Sequence, residues 1–173
     1  MNALTERIPL MKELRYLDIS KYKFHGIICP EYDIEFAGTT ISSMPDSYVD
    51  DTYRLFADRY DIHFIFESNL PVVDFYAVPM IDIFAMDSSC GYWGTLGSST
   101  DIGNLSAKIC YINRYNEVYI VADNLKCFLP LESVNKGQAR GMIRTKEVTL
   151  FKDREEAGKV LKFIEPVIDS PQE

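Results

Sequence analysis

Ile62-His-Phe-Ile-Phe66, Val72-Val-Asp-Phe-Tyr-Ala-Val78 and Ile81-Asp-Ile-Phe-Ala-Met86 follow one another with only Asn69-Leu-Pro71 and Pro79 between them. These runs are short, β-branched and aromatic, and Pro and Asn punctuate them, so they read as successive strands. Further on, Gly91, Gly94 and Gly97 bracket Tyr92-Trp93 and Thr95-Leu96, a strand entered and left by tight turns. Ala107-Lys-Ile-Cys-Tyr-Ile112, a turn at Asn113-Arg-Tyr-Asn116, and Glu117-Val-Tyr-Ile-Val-Ala122 form the clearest hairpin. No segment between Ile62 and Ala122 has room for helices alternating with strands. A doubly wound nucleotide-binding fold is therefore disfavoured, and the pattern is α+β, a mostly antiparallel sheet with helices packed on one side.

Outward from this block the signals become helical. Ser43-Met-Pro-Asp46 places a cap, an N-terminal proline and an acid at a helix start. Tyr48, Val49, Tyr53, Phe56 and Tyr60 then recur at three- and four-residue steps, which predicts one buried stripe on a helix reaching about Arg59. Pro30 to Gly38 has proline at its opening and glycine at its end, the asymmetry of a short helix. Leu4 to Leu17 carries a mixed helical pattern broken by Pro9, and Tyr16 to Ile28 has no firm period beyond one short strand. Asp123 caps a short helix with Leu125, Phe128 and Leu129, and Met142 to Phe151 reads as a last strand. Asp153-Arg-Glu-Glu156 opens a C-terminal helix burying Ala157, Val160, Leu161 and Ile164. The organisation expected is an extension over 1–29, one domain over 30–169 and a frayed tail over 170–173.

The chain has 173 residues, 18 basic and 26 acidic, for a formal charge of −8. A hydrophobic content of 47% is that of a packed globular protein and excludes wholesale disorder. No apolar run approaches the roughly 20 residues of a membrane helix, and Met1 to Leu10 mixes acid and base, unlike a secretory leader. Acidity argues against nucleic acid as partner; the densest basic segment, Lys136 to Lys146, reads better as a loop entering a strand. Cys29, Cys90, Cys110 and Cys127 form no C-x-x-C pair and have no histidine at zinc-site spacing, so no metal or cofactor is expected. Apolar neighbours make buried free thiols the reading for the cysteines, and with the missing leader this predicts a reducing cytoplasm.

Gly91-Tyr-Trp-Gly94-Thr-Leu-Gly97 is spaced G-x-x-G-x-x-G, without the Lys-Ser/Thr of a phosphate loop or the spacing of a dinucleotide turn. Cys90 would need an imidazole and an orienting group to act as a nucleophile, and His25 and His63 are the candidates. Both histidines read more simply as structural or surface residues. The carboxylates from Asp46 to Asp101 show no calcium-loop spacing and read as caps and solvated faces. Tyr92, Trp93 and Tyr115 are candidates for exposure beside turns, where Tyr and Trp anchor interfaces; core packing is the other reading of Trp93.

The order of these signals from Gly38 to Leu131 resembles the SUKH superfamily, the Smi1/Knr4-like proteins. Ser43-Met-Pro-Asp-Ser-Tyr48 is similar to that family's Leu-Pro-x-x-Tyr helix start, with Met44 in place of Leu. Ile83-Phe-Ala-Met-Asp87-Ser-Ser-Cys-Gly-Tyr-Trp-Gly94 is similar to its strand and Asp-containing glycine turn, with Ser88-Ser89-Cys90 replacing part of the glycines. Ile120-Val-Ala-Asp123-Asn-Leu-Lys-Cys-Phe-Leu129 is similar to its hairpin-to-helix element. The resemblance implies a non-catalytic binding domain. It further implies an immunity protein that neutralises a cognate bacterial toxin, a nuclease or deaminase. A basic toxin would be gripped by Asp87, Tyr92, Trp93 and Asp101, the carboxylates accepting from Lys and Arg and the rings acting as anchors. A small cysteine enzyme using Cys90, and a regulatory scaffold of the same fold without a toxin, are the alternatives.

Overall fold

A computed structural model describes residues 12–19, 32–97, 107–124, 128 and 143–164. Eleven strands run in chain order among them: β1 (Glu13–Asp18), β2 (Tyr32–Ala37), β3 (Thr39–Ile41), β4 (His63–Phe64), β5 (Tyr76–Val78), β6 (Ile81–Met86), β7 (Tyr92–Leu96), β8 (Ile109–Ile112), β9 (Val118–Ala122), β10 (Ile143–Arg144) and β11 (Thr149–Phe151). Two helices are described, α1 (Asp51–Tyr60) and α2 (Arg154–Gly158). The main sheet has the order β10-β9-β8-β7-β6, with β3 and β4 both laid along the far side of β6. It is mixed: β3 runs parallel to β6, and the other pairs are antiparallel. The architecture is sheet-rich α+β.

β6 is buried over Ile81 to Ala85, because both faces of the sheet are covered. Ile81, Ile83, Cys110, Ile112 and Val118 pack with Phe75, Ala77 and Val148 from the β5–β11 ribbon side. On the opposite face Phe84, Ala85, Trp93 and Ile109 pack with Phe56 of α1 and with Phe128. Period-two alternation assigns the residues to faces, and a bulge on β6 between Ile83 and Ala85 inserts Phe84 as the extra residue. Gly94 is a glycine because β6 passes too close for a side chain: a Cβ there would sit 2.8 Å from the Asp82 carbonyl oxygen. Asp82 is a buried carboxylate on the same strand, accepting from Thr40 Oγ1 at 2.7 Å and Ser42 Oγ at 2.6 Å. Those two bonds tie the segment that leads into α1 to the centre of the sheet.

Several elements differ from the sequence reading. Of the helix expected over Pro30 to Gly38, the described residues are not helical; Tyr32–Ala37 is a strand in six-residue parallel register with β1. Proline and glycine punctuate strands as readily as helices, and Gly38, with φ 121°, turns the chain from β2 into β3. Glu13–Asp18, expected as helix, is extended because it pairs on both sides, with β2 and with the 162–164 segment. That second pairing also replaces the end of the C-terminal helix, which stops at Gly158; the Tyr16 amide bonds to the Lys162 carbonyl, and Val160 is exposed rather than buried. The expected strand from Met142 to Phe151 is broken at Thr145, whose hydroxyl accepts from the Glu147 amide. β10 therefore joins the main sheet while β11 joins β5.

The best-patterned helix begins late. Asp46–Tyr48 is a single 3-10 turn, Val49 is extended, and Asp50 rather than Ser43 caps α1, its carboxylate accepting from the Thr52 and Tyr53 amides. Phe56, Tyr53 and Tyr60 do form the inward stripe, with the Phe56 ring 5.1 Å from Phe64 and edge-on to it. Tyr48 and Val49 lie outside it and face solvent. Of the helix expected after Asp123, Asn124 and Phe128 are among the described residues: Phe128 is helical, buried, and its amide bonds to the Asn124 carbonyl. No helix among the described residues is long and apolar enough to cross a membrane.

Candidate functional site

The turn from β6 to β7 is the polar focus of the described structure. Asp87 opens it, and one carboxylate oxygen accepts from the amides of Ser89 at 2.9 Å and Gly91 at 2.7 Å. The Asp87 amide returns a bond to the Gly91 carbonyl, and Cys90 takes φ 65° to close the loop. Tyr111 on β8 donates its phenol to the other Asp87 oxygen at 2.5 Å. Gly91 has no side chain because the Tyr111 ring passes over it; a Cβ would stand 2.7 Å from two ring carbons. Burial raises the Tyr111 hydroxyl far above its ordinary range, and the Asp87 charge adds to it, so the phenol remains a donor.

A second carboxylate meets the turn from the end of α1. Asp61 takes a left-handed conformation, φ 56°, which an aspartate tolerates better than most residues. Its carboxylate accepts from His63 Nε2 at 2.8 Å, from Ser88 Oγ at 2.6 Å and from the Ser88 amide at 3.3 Å. A carboxylate only accepts, so His63 carries its proton on Nε2 in this contact. Partial burial pushes the Asp61 carboxyl upward, but the Ser88 bonds and His63 outweigh it and hold the group below its usual range. Stability from a depressed carboxyl is complete above its unfolded value, near about pH 4, and drains as pH falls through the folded value. Asp61→Asn keeps the backbone conformation and loses the charge. It is expected to lower stability by about 1 kcal/mol at neutral pH and to flatten the acid limb of a pH-dependent melting series.

The order of groups decides what this cluster can do. Activation of a hydroxyl or thiol needs the imidazole in the middle, between nucleophile and carboxylate. Here the carboxylate is in the middle: Ser88 and His63 both donate to Asp61, and Asp87 is engaged by two amides and a phenol. The arrangement clamps the end of α1 to the β6–β7 turn and to β8. Cys90 is an exposed free thiol at the tip of that turn. Cys110 lies in the core, where burial pushes its thiol up to about 12 and removes it from thiolate chemistry at neutral pH.

The residues expected at the partner contact fall in different places. Asp87 is half-buried with both carboxylate oxygens engaged. Tyr92 and Trp93 are neighbours on β7 and so face opposite sides of the sheet. Tyr92 is half-buried and meets Phe75 edge-on at 6.0 Å; Trp93 is 6% exposed and packs on Tyr111 at 4.8 Å. Asp101 lies outside the described residues. Asp61, Ser88 and Tyr111 complete the cluster, and no local pattern in the sequence marks them, because their contacts span three separate elements.

A groove of about 440 Å³ lies elsewhere, between the β8–β9 turn and 144–150, lined by Asn116, Glu117, Arg144, Lys146 and Leu150 among others. Glu117 accepts from Asn113 and Tyr119, which with Arg144 hold it below the usual carboxylate range despite partial desolvation. Charge along the chain is strongly segregated. Between Lys23 and Lys108 there are thirteen carboxylic residues, two arginines (Arg54 and Arg59) and no lysine, whereas the rest of the chain has sixteen basic and thirteen acidic side chains. No family model, no curated protein and no solved structure matches this chain.

Proposed function

We propose that this chain is a non-catalytic, SUKH-like protein-binding domain that acts in the cytoplasm as an immunity protein, neutralising a cognate basic toxin of the nuclease or deaminase class. The observation that carries the non-catalytic part is the closed cluster at the β6–β7 turn, where Asp61 stands between the hydroxyl and the imidazole. His63 is the only histidine among the described residues, and its Nε2 bonds to Asp61 at 2.8 Å. Support for a basic partner comes from the excess of carboxylic residues between Lys23 and Lys108, seven of which are exposed among the described residues, since an acidic surface steers an oppositely charged protein and speeds its association. The family reading is supported by the succession of α1, an apolar strand, the Asp87–Gly91 turn and the β8–β9 hairpin, the order in which the resemblance places them.

Co-expression with the protein encoded beside this chain tests the proposal. The expected result is a complex that survives purification at low salt and a toxin without activity while the chain is in excess. Full toxin activity at saturating chain overturns the proposal.

A further inference from the structure

Two short turns within the lysine-free segment between Lys23 and Lys108 stand side by side. Met44 bridges Phe66 in parallel, the Glu67 amide bonds to the Met44 carbonyl, and the Ser68 amide bonds to Asp46 Oδ1 at 3.1 Å. That register keeps Asp46–Tyr48 in step with the 3-10 turn Glu67–Asn69. Pro45 precedes the first turn and Pro71 follows the second, which limits what either must lose in freedom on binding.

These turns carry an unusual share of exposed apolar surface. Tyr48 is 61% exposed, Leu70 57% and Val72 91%, with Val49 beside them. They are four of the nine large hydrophobic side chains exposed among the described residues. Single exposed apolar residues are ordinary, but several on adjoining turns make a patch. Asp46, Asp50, Glu67 and Asp74 are exposed and stand within three residues of these side chains along the chain. Arg54, in the first turns of α1, is paired with Asp51 at 2.9 Å.

We infer that this double turn is the face that docks the basic protein partner, with Tyr48 and Leu70 as apolar anchors flanked by carboxylates. The inference rests on the occlusion reading above and names the surface for it. Charge selects the occupant: a second copy would bring like charges against these carboxylates, while a lysine- and arginine-rich surface complements them. An exposed amphipathic tyrosine flanked by carboxylates is the kind of residue that concentrates binding energy at interfaces.

Titration calorimetry with the purified basic protein encoded beside this chain tests the assignment. Wild type is expected to bind with an affinity that falls as salt rises. Tyr48→Ser with Leu70→Ser is expected to weaken binding at least a hundredfold with an unchanged melting temperature, and Glu67→Lys with Asp74→Lys at least tenfold at low salt. Tyr115→Ser, at the exposed β8–β9 turn, should bind as wild type does. Equal binding by wild type and both double variants overturns this face and leaves the occlusion reading standing; no binding by wild type overturns both. If Tyr48→Ser with Leu70→Ser melts early, amide exchange on the wild-type complex decides. Slowed exchange over 44–49 and 67–73 supports the face, and slowing confined to 87–93 or 113–117 overturns it. A dimer of this chain buried on the same turns would overturn the choice of occupant.

Discussion

Phe84→Ala is expected to lower the unfolding free energy by about 4 kcal/mol, the usual cost of emptying a buried aromatic site. Phe84 is the bulged residue of β6, only 5% exposed, and it joins three elements at once. Its ring stacks on Phe64 of β4 at 5.9 Å and meets Phe128 edge-on at 5.8 Å, while Phe64 in turn carries Phe56 of α1. Removing the ring leaves a cavity walled by other packed rings, Phe64 on β4 and Phe128 from a helix, so collapse would recover little of the loss. Urea unfolding followed by far-ultraviolet circular dichroism measures the change, with the slope unaltered if two-state behaviour holds. A loss below about 1 kcal/mol would mean that this face is loosely packed and that the aromatic chain does not hold α1 to the sheet.

The second large effect is the reverse error, an atom too many. Gly94→Ala would place a methyl 2.7 Å from Ile81 Cγ2 and 2.8 Å from the Asp82 carbonyl oxygen. The side-chain atom can shift a little, but the carbonyl belongs to the most buried strand of the main sheet. The strain therefore has to be taken up by separating β6 from β7, at a cost of about 3 kcal/mol. Because Asp82 also receives Thr40 and Ser42, the same displacement should loosen the segment before α1. Hydrogen exchange would detect that as faster exchange over 40–44. An alanine variant as stable as wild type would contradict the close approach of the two strands.

What was legible in the sequence follows from how local each signal is. Ile81 to Met86 and the β8–β9 hairpin were readable because their aromatic and β-branched runs and turn residues are set within a few positions. Glu13–Asp18 and Tyr32–Ala37 were not, since parallel pairing depends on partners far along the chain and leaves little local trace. The aromatic stripe of α1 was read correctly from Tyr53 inward and overextended to Tyr48. The helical period continues through Tyr48, but Asp50 captures the helix start with its carboxylate. That seven-residue delay leaves Tyr48 outside the helix and exposed.

The site was legible only in outline. The family resemblance points to Asp87 and the spacing to the glycines, yet the reason Gly91 must be glycine is Tyr111, twenty positions away and on another strand. Asp61 and Ser88 meet for the same non-local reason. The segregation of charge, by contrast, is written plainly along the chain: Lys23 and Lys108 bound a segment without lysine.

Whether the molecule acts by covering another protein or by chemistry is decided most directly by stoichiometry. Activity of the toxin proposed as partner is titrated against this chain, wild type and Cys90→Ser alike. Inhibition that is complete at one chain per toxin, immediate, identical for both proteins and reversed by high salt is the expected outcome. Inactivation that proceeds with time at a small fraction of an equivalent, or that is lost with Cys90→Ser, would show turnover and contradict a purely occluding role.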